Sequence, residues 1–457
     1  MFTGKEQQYI FPAISRRLKI GITVSACMLL MASGTLASTV HDPLVEVLIR
    51  KGILTEQEAQ MIEKEAEILQ EQRAQEQKQE LVKVVQQQST PKALQGLKFR
   101  MLSYLDYSTG NSPQPGDGQS GYNKFSITRG YFRVDKTITP WLGAHLTYDI
   151  HQDGDGDWMA RMKYLYAQFT PSDLGFFTNM KSEVGMGHIP WLDFEEHVNP
   201  YRCQGTMAIE RAGTFNSADL GLNIRGNFGG KLENAATLLG NHHYDGRWGT
   251  WHLGVYNGSG YHEKEDNQNK VIEGRLTFRP LPDIFPGLQI SGFGLTGEGN
   301  ERTEYGDYPD YQAYIAMLSY QHPRFIFTTQ YITTQGNKDG SWYDDTGAAL
   351  WTRGGSLFAN YKPPLGSFLP ALDKKFNLFF RYDWMDRDKD NKIADDATYN
   401  MYILGAAWEV FVSNYILMDY EWTTYGSDFG AKKSSMPDPG RNNGDETKFQ
   451  MVYQLKF

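Results

Sequence analysis

The sequence predicts an all-β transmembrane barrel of sixteen antiparallel strands behind a short N-terminal helical segment. Three observations carry this: an export leader, a period-two alternation from Gly96 to the C-terminus, and connections that alternate between tight turns and long polar loops. With 457 residues, the chain suffices for two or three soluble domains or one large barrel. Its mean hydropathy is −0.53, and after residue 40 no apolar run approaches the length of a spanning helix, which excludes a helical membrane protein. Aromatics make up 14% of the chain, with 27 Tyr, and there are 46 Gly. A barrel with a wet lumen explains this, because only every second residue of a strand must face lipid. A soluble all-β chain has the same composition, so the leader is needed to decide between them.

That leader has Arg16, Arg17 and Lys19 ahead of an apolar stretch from Ile20 to Leu36, ending in Thr35-Leu36-Ala37-Ser38. A basic start, a short apolar core and a small-residue cleavage site describe a secretory signal over residues 1–37, cut after Ala37. Once it is removed Cys203 is the only cysteine, so the chain forms no internal disulfide, no haem attachment site and no cysteine zinc site.

Residues 38–95 read as a periplasmic helical stalk. Asp42 and Pro43 open a short helix from Leu44 to Lys51, closed by Gly52. Thr55 with Glu58 forms a capping box for a second helix. In it Ala59, Ile62, Ala66 and Leu69 recur at spacings of three and four, a coiled-coil-like stripe among Glu, Gln and Lys. Trimerisation through this stripe and a solvated spacer helix are both consistent with it.

From Gly96 the period becomes two. Leu142, Ala144, Leu146, Tyr148 and Ile150 share one face, and Gly143, His145, Thr147, Asp149 and His151 the other. Strands are expected near 97–108, 123–138, 141–151, 159–170, 180–188, 218–228, 248–257 and 269–279. Eight more fall near 287–296, 309–320, 324–334, 351–361, 376–386, 398–409, 413–424 and 447–457. Sixteen is even, as closure of bacterial single-chain barrels requires. Thr139-Pro140, Gln321-His322-Pro323 and Val410-Phe411-Val412 read as tight turns. Between them stand long polar loops at 109–122, 189–217, 297–308, 335–350, 387–397 and 425–446. Connections 229–247 and 362–375 are too long for tight turns: either they are insertions or the count is off by a pair.

The stretch from Met186 to Phe228 reads Met-Gly-His-Ile-Pro-Trp-Leu-Asp-Phe-Glu-Glu, later Ala-Ile-Glu-Arg, then Ala-Asp-Leu-Gly-Leu-Asn-Ile-Arg-Gly. It resembles the phosphate-selective porin O and P family on Gly187 (displaced by about one place), Pro190, Trp191, Glu195, Glu210, Arg211, Asp219 and Gly221. Family-like pieces at Thr128–Arg133, Gly254–Gly260 and Phe449–Tyr453 extend the similarity over residues 96–457. The resemblance implies an outer-membrane porin that assembles as a homotrimer, whose third outer loop, here 189–217, folds inward and narrows the pore. The constriction residues it implies are Trp191, Asp193, Glu195, Glu196, Arg202, Glu210 and Arg211. A terminal aromatic such as Phe457 is the usual signal in such proteins for insertion into the outer membrane.

Placing each strand's polar face inward gives a basic lumen set of Lys98, Arg100, Arg129, Arg133, Arg161, Lys163, Arg225, Arg275 and Arg381, interleaved with carboxylates. Of the chain's 45 Lys/Arg and 54 Asp/Glu, residues 1–95 hold 11 of each, leaving 34 and 43 on the barrel. That is a mixed field without a basic ladder, so passive diffusion of small hydrophilic solutes and ions, phosphate among the candidate anions, is the expected function. Asp386, Asp388 and Asp390 resemble the opening of a calcium loop, but Asn391 and Ala397 stand where its Gly and Glu belong, so no metal and no cofactor are expected. No Gly-x-Ser-x-Gly elbow appears, which argues against an enzyme. The alternative reading is a barrel that scaffolds a partner protein such as an electron-carrying cytochrome. Expected partners are outer-membrane lipid and lipopolysaccharide, two further copies of the chain, and the solutes themselves, with no nucleic acid.

Overall fold

The computed structural model describes residues 43–55, 57–59, 61, 91, 94–114, 118–441 and 444–457. The chain divides into two compact units, Met1–Pro91 and Lys92–Phe457. In the first, α1 (Pro43–Arg50) ends where Gly52, at φ 71°, takes the left-handed conformation. There the N–H of Gly52 donates to the Ile49 carbonyl and that of Ile53 to Leu48, a Schellman closure. Thr55 and Glu58 form the expected capping box: the Glu58 N–H donates to Thr55 Oγ1 at 3.3 Å and the Thr55 N–H to the Glu58 carboxylate at 2.9 Å. The proposed signal and the stripe residues Ile62, Ala66 and Leu69 lie outside the described residues.

The second unit is a closed barrel of sixteen antiparallel strands in chain order. They are β1 (Leu97–Gln114), β2 (Gly118–Thr139), β3 (Leu142–Gln152), β4 (Trp158–Phe169), β5 (Phe177–His188), β6 (Ala218–Phe228), β7 (Gly249–Tyr256) and β8 (Val271–Phe278). The wall continues through β9 (Leu288–Glu298), β10 (Asp310–His322), β11 (Phe325–Gln335), β12 (Trp351–Tyr361), β13 (Phe376–Asp386), β14 (Thr398–Phe411), β15 (Asn414–Tyr425) and β16 (Glu446–Lys456). Pairing of β1 with β16, from Leu102↔Lys456 to Asn111↔Thr447, closes the ring and removes every sheet edge. The alternation survives in three dimensions. On β3, His145, Thr147 and Asp149 are buried inward, while Tyr148 and Ile150 are exposed outward.

Expected 109–122 is not a loop. The ladder between β1 and β2 continues to Gln114↔Gly118, so only 115–117 separate the strands. Both faces of this hairpin tip carry Ser, Asn, Gln and Gly, so the apolar alternation disappears although the hydrogen bonds persist. The over-long connections 229–247 and 362–375 are insertions at the rim that carries the barrel's chain ends, and the strand count stands. The first contains α4 (Ala235–Leu239), with Leu232, Ala235 and Leu239 buried together.

Candidate pore constriction

Segment 189–217 leaves the top of β5, crosses the lumen and returns to β6. It contains α2 (Leu192–Val198), a 3-10 turn (Arg202–Gln204) and α3 (Ala208–Arg211). Its apolar residues form two buried clusters with the inner wall. Ile189, Trp191, Leu192, Phe194 and Phe215 pack on Tyr256, Phe293, Leu295, Ile315 and Ile332 of β7 to β11. Tyr201, Cys203 and Ala212 pack on Phe358, Phe379, Met401, Ile403 and Leu417 of β12 to β15. Burial of each large side chain contributes roughly 1.5–3 kcal/mol, so the docking is mainly apolar. This corrects the assumption of polar inward faces: from β7 round to β15 the inner wall is substantially apolar because it receives the loop.

Polar contacts fix where the loop sits. Arg275 Nε donates to the Pro190 carbonyl at 3.0 Å, Gln330 Nε2 to Glu195 Oε1 at 2.7 Å and Gln450 Nε2 to the Gln204 carbonyl at 2.8 Å. Arg211 Nη1 donates to Glu421 Oε1 at 3.0 Å, and Arg387 Nη1 to the Ala212 carbonyl at 2.6 Å. Gly205, at φ 155°, lets the Arg211 guanidinium approach its backbone: a Cβ there would lie 1.9 Å from Arg211 Nη2 and displace that side chain from Glu421.

Docking one face of the loop leaves its charged edge toward β1, β2 and β4. Arg202 bridges Glu196 and Glu210, at 2.7 and 2.8 Å, and Arg129 approaches Glu196 at 3.9 Å. Opposite, Lys163 donates to the Tyr131 hydroxyl at 2.5 Å and lies over the Tyr131 and Tyr261 rings. The Arg129 guanidinium lies over Tyr104 and Tyr131. This edge of the loop therefore gathers Arg129, Lys163 and Arg202 with Glu196 and Glu210. Burial raises the Glu196 carboxyl, but the Arg202, Arg129 and Lys163 charges outweigh it and hold Glu196 below the usual carboxylate range.

The other loop carboxylates face away from this edge. Burial pushes Glu195 up to about 7, although Trp191 Nε1 at 2.8 Å and Gln330 both donate to it. Asp193 is held well below the usual range despite burial, by His197, His188, Arg225 and the Tyr244 hydroxyl. Burial pushes the Cys203 thiol up to about 12, which leaves it a packed neutral side chain.

Of the nine basic lumen candidates, the structure brings Arg129 and Lys163 to the charged edge of segment 189–217. Arg161 lies beside them, paired with Asp149 at 2.8 Å. Arg225 pairs with Glu183 at 2.7 Å and Asp193 at 3.4 Å, and Arg381 with Asp383 at 2.5 Å, so both are structural ion pairs. Arg275 is fully buried, bonded to Pro190 and Thr250. Lys98, Arg100 and Arg133 lie away from the constriction, toward the rim of the chain ends, where Arg100 meets Asp135 at 3.5 Å.

Sequence reasoning missed the tyrosines around Arg129 and Lys163, and also Arg387, Tyr244 and their contacts. The high Tyr content was the one available signal. Among the described residues no group of three His, Cys, Asp or Glu is arranged to hold a metal ion. Asp386 accepts from Arg353 of β12, and Asp388 accepts the N–H groups of Ile393 and Ala394, so the first is tied to the neighbouring strand and the second closes its own loop.

No protein-family model and no curated protein sequence matches the chain. Solved structures do. An anion-selective porin from Comamonas acidovorans aligns with TM-score 0.52 at 11% identity, covering 79% of this chain and 100% of that one. OmpF of Salmonella typhi, solved in complex with daunomycin, aligns with TM-score 0.52 at 11% identity, covering 79% and 97%. The chain thus has the sixteen-stranded barrel fold of outer-membrane porins.

Proposed function

We propose that the protein is a bacterial outer-membrane diffusion pore for small hydrophilic solutes and ions, narrowed by segment 189–217. The observation that carries this reading is the charged edge of the docked loop, where Glu196, Arg202 and Glu210 meet Arg129 and Lys163 of the barrel wall, with Arg129 3.9 Å from Glu196. Acid and base on facing walls orient a hydrated solute without excluding either sign of charge. Among the described residues Arg161, Arg225 and Arg381 are each paired with a carboxylate, which weighs against a strict phosphate filter. The signal over 1–37, the periplasmic stalk over 38–95, the homotrimer and the contact with lipid and lipopolysaccharide belong to the same reading. A loop docked round most of the inner wall argues against a threaded partner protein or a catalytic cleft. Liposome swelling with uncharged sugars of graded size tests the proposal. Entry of small sugars with a sharp size cut-off supports it, and no swelling with any of them contradicts it.

A further inference from the structure

Connection 229–247 is far longer than a barrel turn needs, and it does not stay at the rim. Its base is fixed to the wall: the Gly230 N–H donates to Thr178 Oγ1 at 2.9 Å, and Arg279 Nε donates to the Gly246 carbonyl at 3.2 Å. Its tip meets the constriction loop from the side of the chain ends. Asn241 Nδ2 donates to the His197 carbonyl at 2.8 Å, and the His243 and His197 rings are centred 4.1 Å apart. The Tyr244 hydroxyl donates to the Asp193 carboxylate, and its ring stands edge-on to Phe194 at 5.2 Å. The Arg275 guanidinium covers both rings, at 4.3 Å from Phe194 and 4.9 Å from Tyr244.

The backbone adds an independent observation. Tyr244 sits at φ 52°, a left-handed conformation that aromatic residues rarely adopt. Such a conformation persists where the surroundings over-determine it. Here those surroundings are Asp193, Phe194 and Arg275, all parts of the loop or of the residue that holds it.

We propose that the 229–247 insertion is a strut that enters the lumen and fixes the position of the constriction loop, with Tyr244 and Asn241 as its positioning residues. The inference rests on the reading of 189–217 as the constriction. In this arrangement the loop is clamped between two supports. The apolar inner wall holds its flat face, and the strut holds α2 from below through Asp193 and His197. Its contacts with the loop run through Asp193, Phe194 and His197 rather than through Arg202 or Glu210, so it acts on permeation through the loop.

Single-channel recording of the full-length protein tests this with Tyr244→Phe, Tyr244→Gly and Asn241→Ala, beside Glu196→Ala as the reference variant. Tyr244→Phe removes only the hydroxyl, whereas Tyr244→Gly removes the ring and relieves the backbone. The expected result is a rise in open-channel noise and brief closures, graded from Phe to Gly. Phe alone should reach about tenfold, the factor carried by a lost hydrogen bond to a charged acceptor, and Gly should exceed it because the ring contacts with Phe194 and Arg275 go as well. The heat-modifiable migration of the barrel should be unchanged, since no strand pairing is touched. Wild-type noise in both Tyr244→Gly and Asn241→Ala, with a selectivity shift in Glu196→Ala, would overturn the strut and leave the constriction reading intact. If Glu196→Ala also leaves the current unchanged, the constriction reading falls and the strut with it.

Discussion

Replacing Glu195 by Gln should abolish most of the pH dependence of loop docking. Glu195 is buried between Trp191 and Gln330, and its carboxyl is pushed up to about 7 from an ordinary value of 4.5, chiefly by burial. Because the docked-state value is raised, the neutral form is the one the folded protein favours. The stabilisation is complete below the unfolded value and is lost as pH rises through the folded one, levelling off above it. A displacement of this size corresponds to an effect on the order of 3 kcal/mol between pH 4.5 and 8. That is less than the combined burial of Trp191, Phe194, Tyr201 and Phe215 at roughly 1.5–3 kcal/mol each, so alkali loosens the loop without releasing it. Gln fits the site: its amide oxygen can accept from Trp191, and its NH2 can donate to Gln330 Oε1, which has no hydrogen-bond partner among the described residues. The assay is the unfolding temperature from pH 5 to 8.5, with channel noise measured on the same samples. The wild type should lose stability with rising pH relative to Glu195→Gln, and taking the difference cancels the histidines common to both. A difference that is flat, or that grows in favour of the wild type with rising pH, would refute the assignment of Glu195 as a buried, near-neutral anchor.

Arg211→Ala should weaken docking by about 1–3 kcal/mol, because Glu421 keeps Lys448 at 3.1 Å and Lys433 at 3.5 Å; the same change should move ion selectivity toward cations, both read from unfolding temperature and reversal potential. Cys203 should resist a maleimide in the native barrel at pH 8, since its thiol is buried and pushed up to about 12, and react fully after heat unfolding. If the helical stripe forms an interhelical seam, Ile62→Asp with Leu69→Asp should lower the temperature at which trimers dissociate on gels while leaving single-channel conductance unchanged.

Much of the barrel was legible because its signal is local. On β3 the outward set ending in Tyr148 and Ile150 and the inward His145, Thr147 and Asp149 follow directly from alternation. The tip of the first hairpin was not legible, since strand pairing with polar residues on both faces leaves no pattern. The inner wall failed for a different reason. Along β13 and β14, runs such as Leu378-Phe379-Phe380 and Met401–Leu404 are apolar on both faces, and period two cannot say that one face meets a loop distant in sequence. The same limit hid the roles of Arg275 and Arg381, which look like lumen cations in sequence but are buried supports. Tyr244 carries no local signal, because its partner Asp193 is 51 residues away and the contact exists only once the barrel has closed.

The reversal potential of the reconstituted pore under a several-fold KCl gradient tests the mixed-field constriction most directly. Facing acid and base at Glu196, Glu210, Arg202, Arg129 and Lys163 should give a potential close to zero. Glu196→Ala should displace it toward the chloride limit, and Arg202→Ala toward the potassium limit. A wild-type potential near the chloride limit with micromolar phosphate block would contradict the mixed field, and no displacement by either substitution would contradict the placement of the constriction at segment 189–217.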